Sequence, residues 1–185
     1  MSPTFPPGTR GAQIMSYKGA WPTIAEDAYV APRSSVIGNV TLGSESSVWF
    51  NCVLRGDENF IKVGDRTNIQ DGTVIHVDEG EEWSATIGND VLIGHMALLH
   101  GCRLEDFAFV GMGATIMNGA VVESYGMVAA GALVTPGKRV TSRMLWAGRP
   151  AKPVRELTDE DIANNLEGLK HYVQRAKEFR KSEIA

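Results

Sequence analysis

The sequence has few cysteines and no long apolar segment. Its 185 residues include only Cys52 and Cys102, which form neither a disulfide framework nor a Cys-x-x-Cys metal site. No apolar run approaches the ~20 residues that span a bilayer, so a membrane is not expected as a partner. We therefore expect a reducing compartment, the cytoplasm.

An excess of positive charge is also absent. The net charge of −4 gives no electrostatic reason to expect nucleic acid as a partner. The His-Glu-x-x-His pattern is missing, which excludes a zinc protease site of that helical type. The length and the 43% share of hydrophobic residues suit one ordinary globular domain.

What the chain does have is an aliphatic residue at every sixth position. The first run covers residues 24–54, a second run displaced by three covers 63–75, and a third covers 87–134 with one step of five. An α-helix has a period of 3.6 and a half-buried strand a period of 2, so neither explains the series. Short strands joined by turns do, and they predict a mainly β fold, a parallel β-helix of hexapeptide repeats. The alternative is a β-sandwich of short strands, which does not hold this period for so long.

The C-terminal region has a different pattern. Thr158 suits a helix N-cap, and apolar residues follow at spacings of three and four from Ile162 to Phe179. This predicts an amphipathic α-helix that packs on the β-helix. We expect a flexible N-terminal extension over residues 1–20, the β-helix domain over 21–148, and a linker with the C-terminal α-helix over 149–185.

Three of the four histidines lie within the repeat. His76 and His100 each follow a repeat residue and are 24 positions apart, one coil of about 18 plus six. A loop extruded at residues 78–83 would absorb the six and stack both histidines in adjacent coils, ~4.8 Å apart, where they can share a metal. His95 lies up to ~17 Å from His100 and would reach that metal only across a symmetric interface. Three histidines with one open position suit catalytic zinc.

The segments around these histidines form a specific set. They are Arg55-Gly56-Asp57-Glu58-Asn59, Asn68-Ile69-Gln70-Asp71-Gly72, His76, and Gly94 to Cys102. With them, residues 20–180 resemble the γ-class carbonic anhydrases, most of all the small bacterial proteins with a short loop. The resemblance implies a left-handed β-helix and a homotrimer with one metal at each subunit interface. It assigns His76 and His100 to one chain and His95 to its neighbour, with zinc as the usual ion and Fe2+ or Co2+ as possible ones.

The resemblance also implies the reaction, the reversible hydration of carbon dioxide to bicarbonate by hydroxide on the metal. Gln70 would orient that hydroxide, and Asn68 would help to place the substrate. Arg55 and Asp57 would form an ion pair across the interface, with either a catalytic or a purely structural role. Asp71 would add a further polar contact there.

Candidates for proton transfer are less defined. Glu58 is either a proton acceptor or a surface carboxylate. Tyr172 resembles a tyrosine that approaches the site in short-loop relatives. The acidic residues Glu79, Glu81 and Glu82 belong to the short loop and suit a solvated segment as well as a proton path.

Two other functions stay open at this point. The first is a hexapeptide acyltransferase, which shares the solenoid and typically uses one histidine as a general base. The second is a non-catalytic metal- or siderophore-binding protein or an assembly protein. Cys102, close to His100, is either a fourth ligand or, as we expect, a small buried apolar residue.

Overall fold

The chain forms a β-solenoid of about seven turns with one C-terminal helix. The structure is a computed structural model that describes residues 3–184, without the side chains of residues 81, 183 and 184. The helix α1 is Asp159–Ile184, and 3-10 turns cover Pro7–Thr9 and Glu81–Trp83. The strands are β1 (Gln13–Met15), β2 (Thr23–Ile24), β3 (Tyr29–Val30), β4 (Ser35–Leu42), β5 (Ser47–Val48), β6 (Val53–Val63), β7 (Asn68–Ile69), β8 (Val74–His76), β9 (Ala85–Ile87), β10 (Leu92–Ile93), β11 (Leu98–His100), β12 (Arg103–Leu104), β13 (Phe109–Val110), β14 (Thr115–Ile116), β15 (Val121–Val122), β16 (Met127–Val128), β17 (Leu133–Val134), β18 (Arg139–Val140), β19 (Met144–Gly148) and β20 (Ala151–Glu156).

The strands stack in parallel columns that make three faces. Face 1 contains β1, the first halves of β4 and β6, then β8, β11, β14 and β17. Face 2 contains β2, the second halves of β4 and β6, then β9, β12, β15 and β18. Face 3 contains β3, β5, β7, β10, β13, β16 and β19. We call the turn from face 1 to face 2 corner 1–2, and the turn from face 3 to face 1 corner 3–1.

The aliphatic repeat fills the inside of this prism. Leu54, Ile75 and Leu99 lie in register on face 1 and are fully buried. Each rung hydrogen-bonds to the rungs above and below, so the backbone is satisfied while the aliphatic row is removed from water. The predicted parallel β-helix with a C-terminal α-helix is confirmed.

The predicted loop extrusion explains the longest break in the repeat. Ile75 pairs with Leu99 on face 1, and Ile87 pairs with Leu104 on face 2. The chain between β8 and β9 therefore leaves the coil and returns without disturbing either column. A smaller insertion interrupts β6, where the register shifts beside Gly38 and Val40 of β4.

Both ends of the solenoid contain more regular structure than the repeat indicates. Strand β1 pairs with β4 and places Ile14 against the core, although it lies in the segment expected as a flexible extension. Strand β20 lies in the segment expected as a linker and pairs antiparallel with β19. Ile14 stands ten residues before Ile24, outside the six-residue period, so the repeat did not reveal it.

Helix α1 packs on face 3. Asp161 N donates to Thr158 Oγ1 at 3.1 Å, and Thr158 N donates to an Asp161 carboxylate oxygen at 2.8 Å, which confirms the predicted N-cap. An aromatic cluster of Tyr29, Trp49, Phe50, Tyr172 and Phe179 joins the helix to the solenoid. Among residues 3–184, α1 included, no helix combines the length and the apolar character that crossing a membrane requires.

Candidate metal centre

Three of the predicted site residues form one column at corner 1–2. Arg55 pairs with His76 in the strand register, and His76 pairs with His100. Each is the residue directly after an inward-pointing aliphatic residue, so each directs its side chain outward at the end of face 1. The predicted stacking of the two histidines in adjacent coils is what the register gives, with ring centroids 4.9 Å apart.

The two imidazoles present nitrogens to each other. His76 Nδ1 lies 2.9 Å from His100 Nε2. Their outer nitrogens face oxygen acceptors: His76 Nε2 lies 3.1 Å from Asp57 Oδ1, and His100 Nδ1 lies 2.6 Å from Asn118 Oδ1. In a neutral ring, the nitrogen that faces an acceptor carries the hydrogen, and the other carries the lone pair.

This arrangement fits a metal ion. With both outer nitrogens protonated, the facing nitrogens of His76 and His100 both carry lone pairs, which repel each other at 2.9 Å unless a proton or a cation lies between them. Two nitrogens bound at ~2.0–2.1 Å to one tetrahedral ion stand ~3.3 Å apart, so the pair needs to open only slightly. Ligating histidines characteristically donate their other N–H to an oxygen acceptor, as both do here.

Asp57 supports this pair from within the same chain. Its carboxylate accepts hydrogen bonds from Arg55 and from His76. Burial raises the pKa of Asp57, but these hydrogen bonds outweigh burial and hold the pKa below its usual value. The Arg55–Asp57 pair was expected across an interface, whereas here it forms within one strand because residues i and i+2 share a face.

His95 lies at corner 3–1, in the turn before β11. Its Nδ1 is 2.9 Å from Asp71 Oδ2, and its Nε2 is 3.4 Å from the hydroxyl of Tyr172. The Asp71 carboxylate only accepts, so Nδ1 carries the hydrogen and Nε2 carries the lone pair. Like His76 and His100, the third candidate ligand has one ring nitrogen bound to an oxygen acceptor and the other carrying a lone pair that a metal could use.

His95 lies three residues before β11 and His100 is the last residue of that strand, so the two are up to ~17 Å apart along the chain. Among residues 3–184, no group of three or more His, Cys, Asp or Glu side chains is placed to hold a metal ion. One chain thus brings two of the predicted ligands together and keeps the third apart.

Tyr172 reaches His95 from the helix. Its ring packs edge-on against Trp49 with centroids 5.5 Å apart, which anchors it beside corner 3–1. Burial, and then the nearby Asp71 carboxylate, raise the pKa of Tyr172, so its hydroxyl stays protonated. It can therefore donate to the lone pair of His95 Nε2.

Asn68 and Gln70 lie on and just after β7, next to corner 3–1. Both are buried, and Gln70 Nε2 lies 3.3 Å from Asn68 Oδ1. The structure thus groups them with the His95 end of face 1 rather than with His76 and His100. Asn68 Nδ2 is buried without a hydrogen-bond partner in the described part of the chain.

The remaining candidates lie outside both clusters. Glu58 is exposed in the insertion of β6, and Glu79 and Glu82 are exposed in the extruded loop. The side chain of Glu81 lies outside the described part of the structure. Cys102 belongs to the buried core, and burial raises the pKa of its thiol to about 12, so it packs inside the solenoid rather than beside the outward histidines.

Asn118 is a site residue that the sequence did not identify. It forms the shortest contact to any of the three histidines, yet in the sequence Asn118-Gly119 has the form of an ordinary turn. Its place beside His100 follows only from the stacking of successive rungs at corner 1–2. The one indication in the sequence was that Asn118 follows His100 by 18 positions, the length of one regular coil.

The outer surface of face 1 separates the two clusters and is apolar. Val53, Val74 and Leu98 stack along its outside in register. Leu98 is 39% exposed, and Met96 and Met112 at corner 3–1 are 70% and 58% exposed. Large apolar side chains so exposed and adjacent mark a surface that another protein surface would cover.

Comparisons with known proteins identify the family of the chain. No family model matches the chain. It is 47% identical over 173 residues to "Gamma carbonic anhydrase 2, mitochondrial" of Arabidopsis thaliana, an alignment that covers 91% of this chain and 62% of the plant protein. The chain thus spans less than two thirds of that relative's length.

Two further relatives match over nearly their whole length. A carbonic anhydrase of Geobacillus kaustophilus is 37% identical over 167 residues, covering 90% of this chain and 91% of the relative. The solved structure of a hexapeptide transferase family protein from Anaplasma phagocytophilum is 42% identical, covers 90% of this chain and 98% of its own, and gives a TM-score of 0.86. The chain belongs to the gamma carbonic anhydrase family.

Proposed function

We propose that this protein is a zinc-dependent carbonic anhydrase that hydrates carbon dioxide reversibly to bicarbonate at the subunit interfaces of a homotrimer. The observation that carries the proposal is the pair of facing nitrogens of His76 and His100, each with its outer nitrogen held by an acceptor. Nitrogen ligands of this kind suit zinc, and also Fe2+ or Co2+. Carbon dioxide and bicarbonate are the substrates expected for the family.

The third ligand would come from a neighbouring subunit. His95 lies in the turn before β11, the His76–His100 pair lies where that strand ends, and the outer surface between them is apolar. A contact that joins corner 1–2 of one chain to corner 3–1 of the next uses two different patches, and such contacts form a ring when the rotation between chains closes, as in the proposed trimer. Three such contacts give three sites, each with three histidines and an open position.

Zinc bound there would lower the pKa of a coordinated water from 15.7 to about 7 and thus supply a nucleophile at neutral pH. Asp57, Asn118 and Asp71 fix the three imidazole rings and their tautomers. Gln70 Nε2 is directed to Asn68, which leaves Gln70 Oε1 to accept a hydrogen bond and orient the nucleophile.

Carbon dioxide is small and apolar, and the apolar exterior of face 1 gives it a dry approach once the interface has closed. Asn68 would help to place it. Glu58, exposed beside Asp57, would accept the released proton and pass it to solvent. Tyr172 would approach the site from the helix side, where its hydroxyl gives up His95 Nε2 to the metal.

The test is carbon dioxide hydration by stopped flow, with metal content measured on the same sample. We expect His76→Ala, His95→Ala and His100→Ala each to lose both zinc and activity. His171→Ala is the matched control, because His171 lies exposed on α1, where its ring nitrogen is 3.1 Å from Arg175 and its ring meets the Tyr172 ring edge-on, and it touches none of the three candidate ligands. Zinc retained at wild-type stoichiometry in all three variants would overturn the proposal.

The same samples separate the other functions. Acetyl-CoA binding without stoichiometric metal would favour an acyltransferase, an alternative that the hexapeptide transferase name of the related Anaplasma structure keeps in view. Bound metal without hydration in zinc-, iron- and cobalt-loaded protein would favour a binding or assembly role. The cytoplasmic location stays a prediction.

A further inference from the structure

Asn118 is the one neutral residue among the three that hold the outer nitrogens of the histidines. His76 and His95 face the carboxylates of Asp57 and Asp71, whereas His100 Nδ1 faces the amide oxygen of Asn118 at 2.6 Å. An amide can turn either its oxygen or its NH2 group toward a neighbour. Whether Asn118 accepts from His100 therefore depends on what fixes the amide.

Asp78 fixes the amide. Asn118 Nδ2 lies 3.4 Å from Asp78 Oδ2, and a carboxylate accepts only, so the NH2 group must point to Asp78 and the oxygen to His100. Asp78 opens the extruded loop, directly after the chain has left His76 and Val77.

The loop is itself held against corner 1–2. Asn59 Nδ2 donates to the carbonyl oxygen of Gly80 at 2.6 Å and lies 3.3 Å from that of Asp78. The Trp83 ring packs over Gly119, where an added Cβ would lie 3.1 Å from Trp83 Cζ3. The extra residues of this coil thus keep Asp78 beside the turn that carries Asn118.

We infer that Asn118, oriented by Asp78, is a positioning residue for His100. It keeps the hydrogen on Nδ1, so that Nε2 presents its lone pair beside His76, and it prevents the ring from rotating. The inference rests on the proposed metal site and adds two residues to it. It also gives the short loop a role in ligand geometry.

The experiment measures zinc affinity of the full-length protein by competition with a chromophoric chelator, and the visible spectrum of the Co2+-loaded protein, which reports ligand geometry. Loss of an outer partner of a histidine ligand typically weakens metal binding by about 10- to 100-fold. We expect this loss in Asn118→Ala, and a smaller loss in Asp78→Asn. Asn118→Asp keeps an acceptor for Nδ1 and should bind zinc at least as tightly as the wild type.

The matched control is Asn89→Ala. Asn89 also lies in a turn, and its Oδ1 accepts a hydrogen bond from Asp65 N at 2.9 Å. This turn follows face 2 and lies at neither corner that carries a candidate ligand. It should lower the melting temperature without changing zinc affinity or the cobalt spectrum. If Asn118→Ala does not fold, Asn118→Gly removes the same side chain with a residue that favours turns.

The outcomes separate this inference from the proposed function. Wild-type zinc affinity in Asn118→Ala or Asn118→Gly, while His100→Ala loses zinc, would overturn the positioning role alone. Equal losses in Asn118→Ala and Asn89→Ala would overturn it as well, because the effect would then be one of stability. Wild-type affinity in His100→Ala would overturn the proposed function itself.

Discussion

If the metal site is shared between subunits, two inactive variants should restore each other. His95→Ala keeps the pair His76 and His100 at corner 1–2, and His100→Ala keeps His95 at corner 3–1. Neither homotrimer has a complete site. In a mixed trimer, an interface is complete wherever corner 1–2 of a His95→Ala chain meets corner 3–1 of a His100→Ala chain.

The size of the recovery follows from the geometry. Each interface needs one particular variant on each side, and each side holds it half of the time in an equal, random mixture. About one quarter of all interfaces are then complete, so zinc content and hydration rate should both rise to about one quarter of the wild type. A mixture of His76→Ala and His100→Ala gives no complete interface, because both changes affect the same corner.

The mixture is prepared by unfolding the two variants together and refolding them, with metal content and stopped-flow hydration measured before and after. Wild-type chains carried through the same cycle give the reference. No recovery in the first mixture, despite full recovery of refolded wild type, would refute the shared site. Equal recovery in both mixtures would refute the assignment of His76 and His100 to one corner.

Three further outcomes are expected. Tyr172→Phe removes the hydroxyl that competes for the metal-binding nitrogen, so zinc affinity by chelator competition should rise by about two- to tenfold, and weaker binding would contradict this. Leu98→Asp places a charge on the apolar outer surface of face 1 and should dissociate the proposed trimer in analytical ultracentrifugation, whereas Val154→Asp, exposed on β20, should not. Burial raises the pKa of Asp27, but hydrogen bonds from Ser44 and a backbone amide outweigh it and lower the pKa. The carboxylate therefore stabilises the fold above its usual pKa of 3.8 and loses this effect as the pH falls through the folded value, so in urea unfolding Asp27→Asn should lose less stability on acidification than the wild type.

The six-residue repeat was sufficient to predict the stacked strand columns, because the position of a residue within a strand decides whether its side chain points inward or outward. Once Ile75 and Leu99 were assigned inward, His76 and His100 had to point outward in neighbouring rungs. The surplus of six residues between them required a loop. These conclusions needed only local periodicity and backbone pairing.

The features that could not be predicted from the sequence depend on contacts that leave no recognisable periodicity in it. Asn118 meets His100 only because successive rungs stack at corner 1–2. Strand β1 has a single inward residue, Ile14, which is too little for a period to be recognised. Such features emerge from tertiary packing rather than from spacing.

The departures from the repeat all occur at corner 1–2. The inward residues of face 1 and face 2 are six positions apart in the rungs of Val36, Ile116 and Val134. The spacing is ten after Ile14, nine after Leu54, twelve after Ile75 and five after Leu99. The last three of these irregular rungs carry Arg55, His76 and His100. A solenoid tolerates insertions at its corners because the strand columns continue past them. Corner 1–2 can therefore present functional side chains without disturbing the strands.

This relation leads to a test by deletion. Removing residues 78–83 restores a regular corner after Ile75, and we expect the chain to fold with a melting temperature close to that of the wild type, since both strand columns keep their partners. His76 and His100 would stay in register, but Asp78 would no longer orient Asn118. Zinc affinity should therefore fall about as far as in Asn118→Ala, by about 10- to 100-fold. A folded deletion variant with wild-type affinity would mean that the loop has no part in the metal site, and a variant that does not fold would mean that the corner's insertions stabilise the solenoid itself.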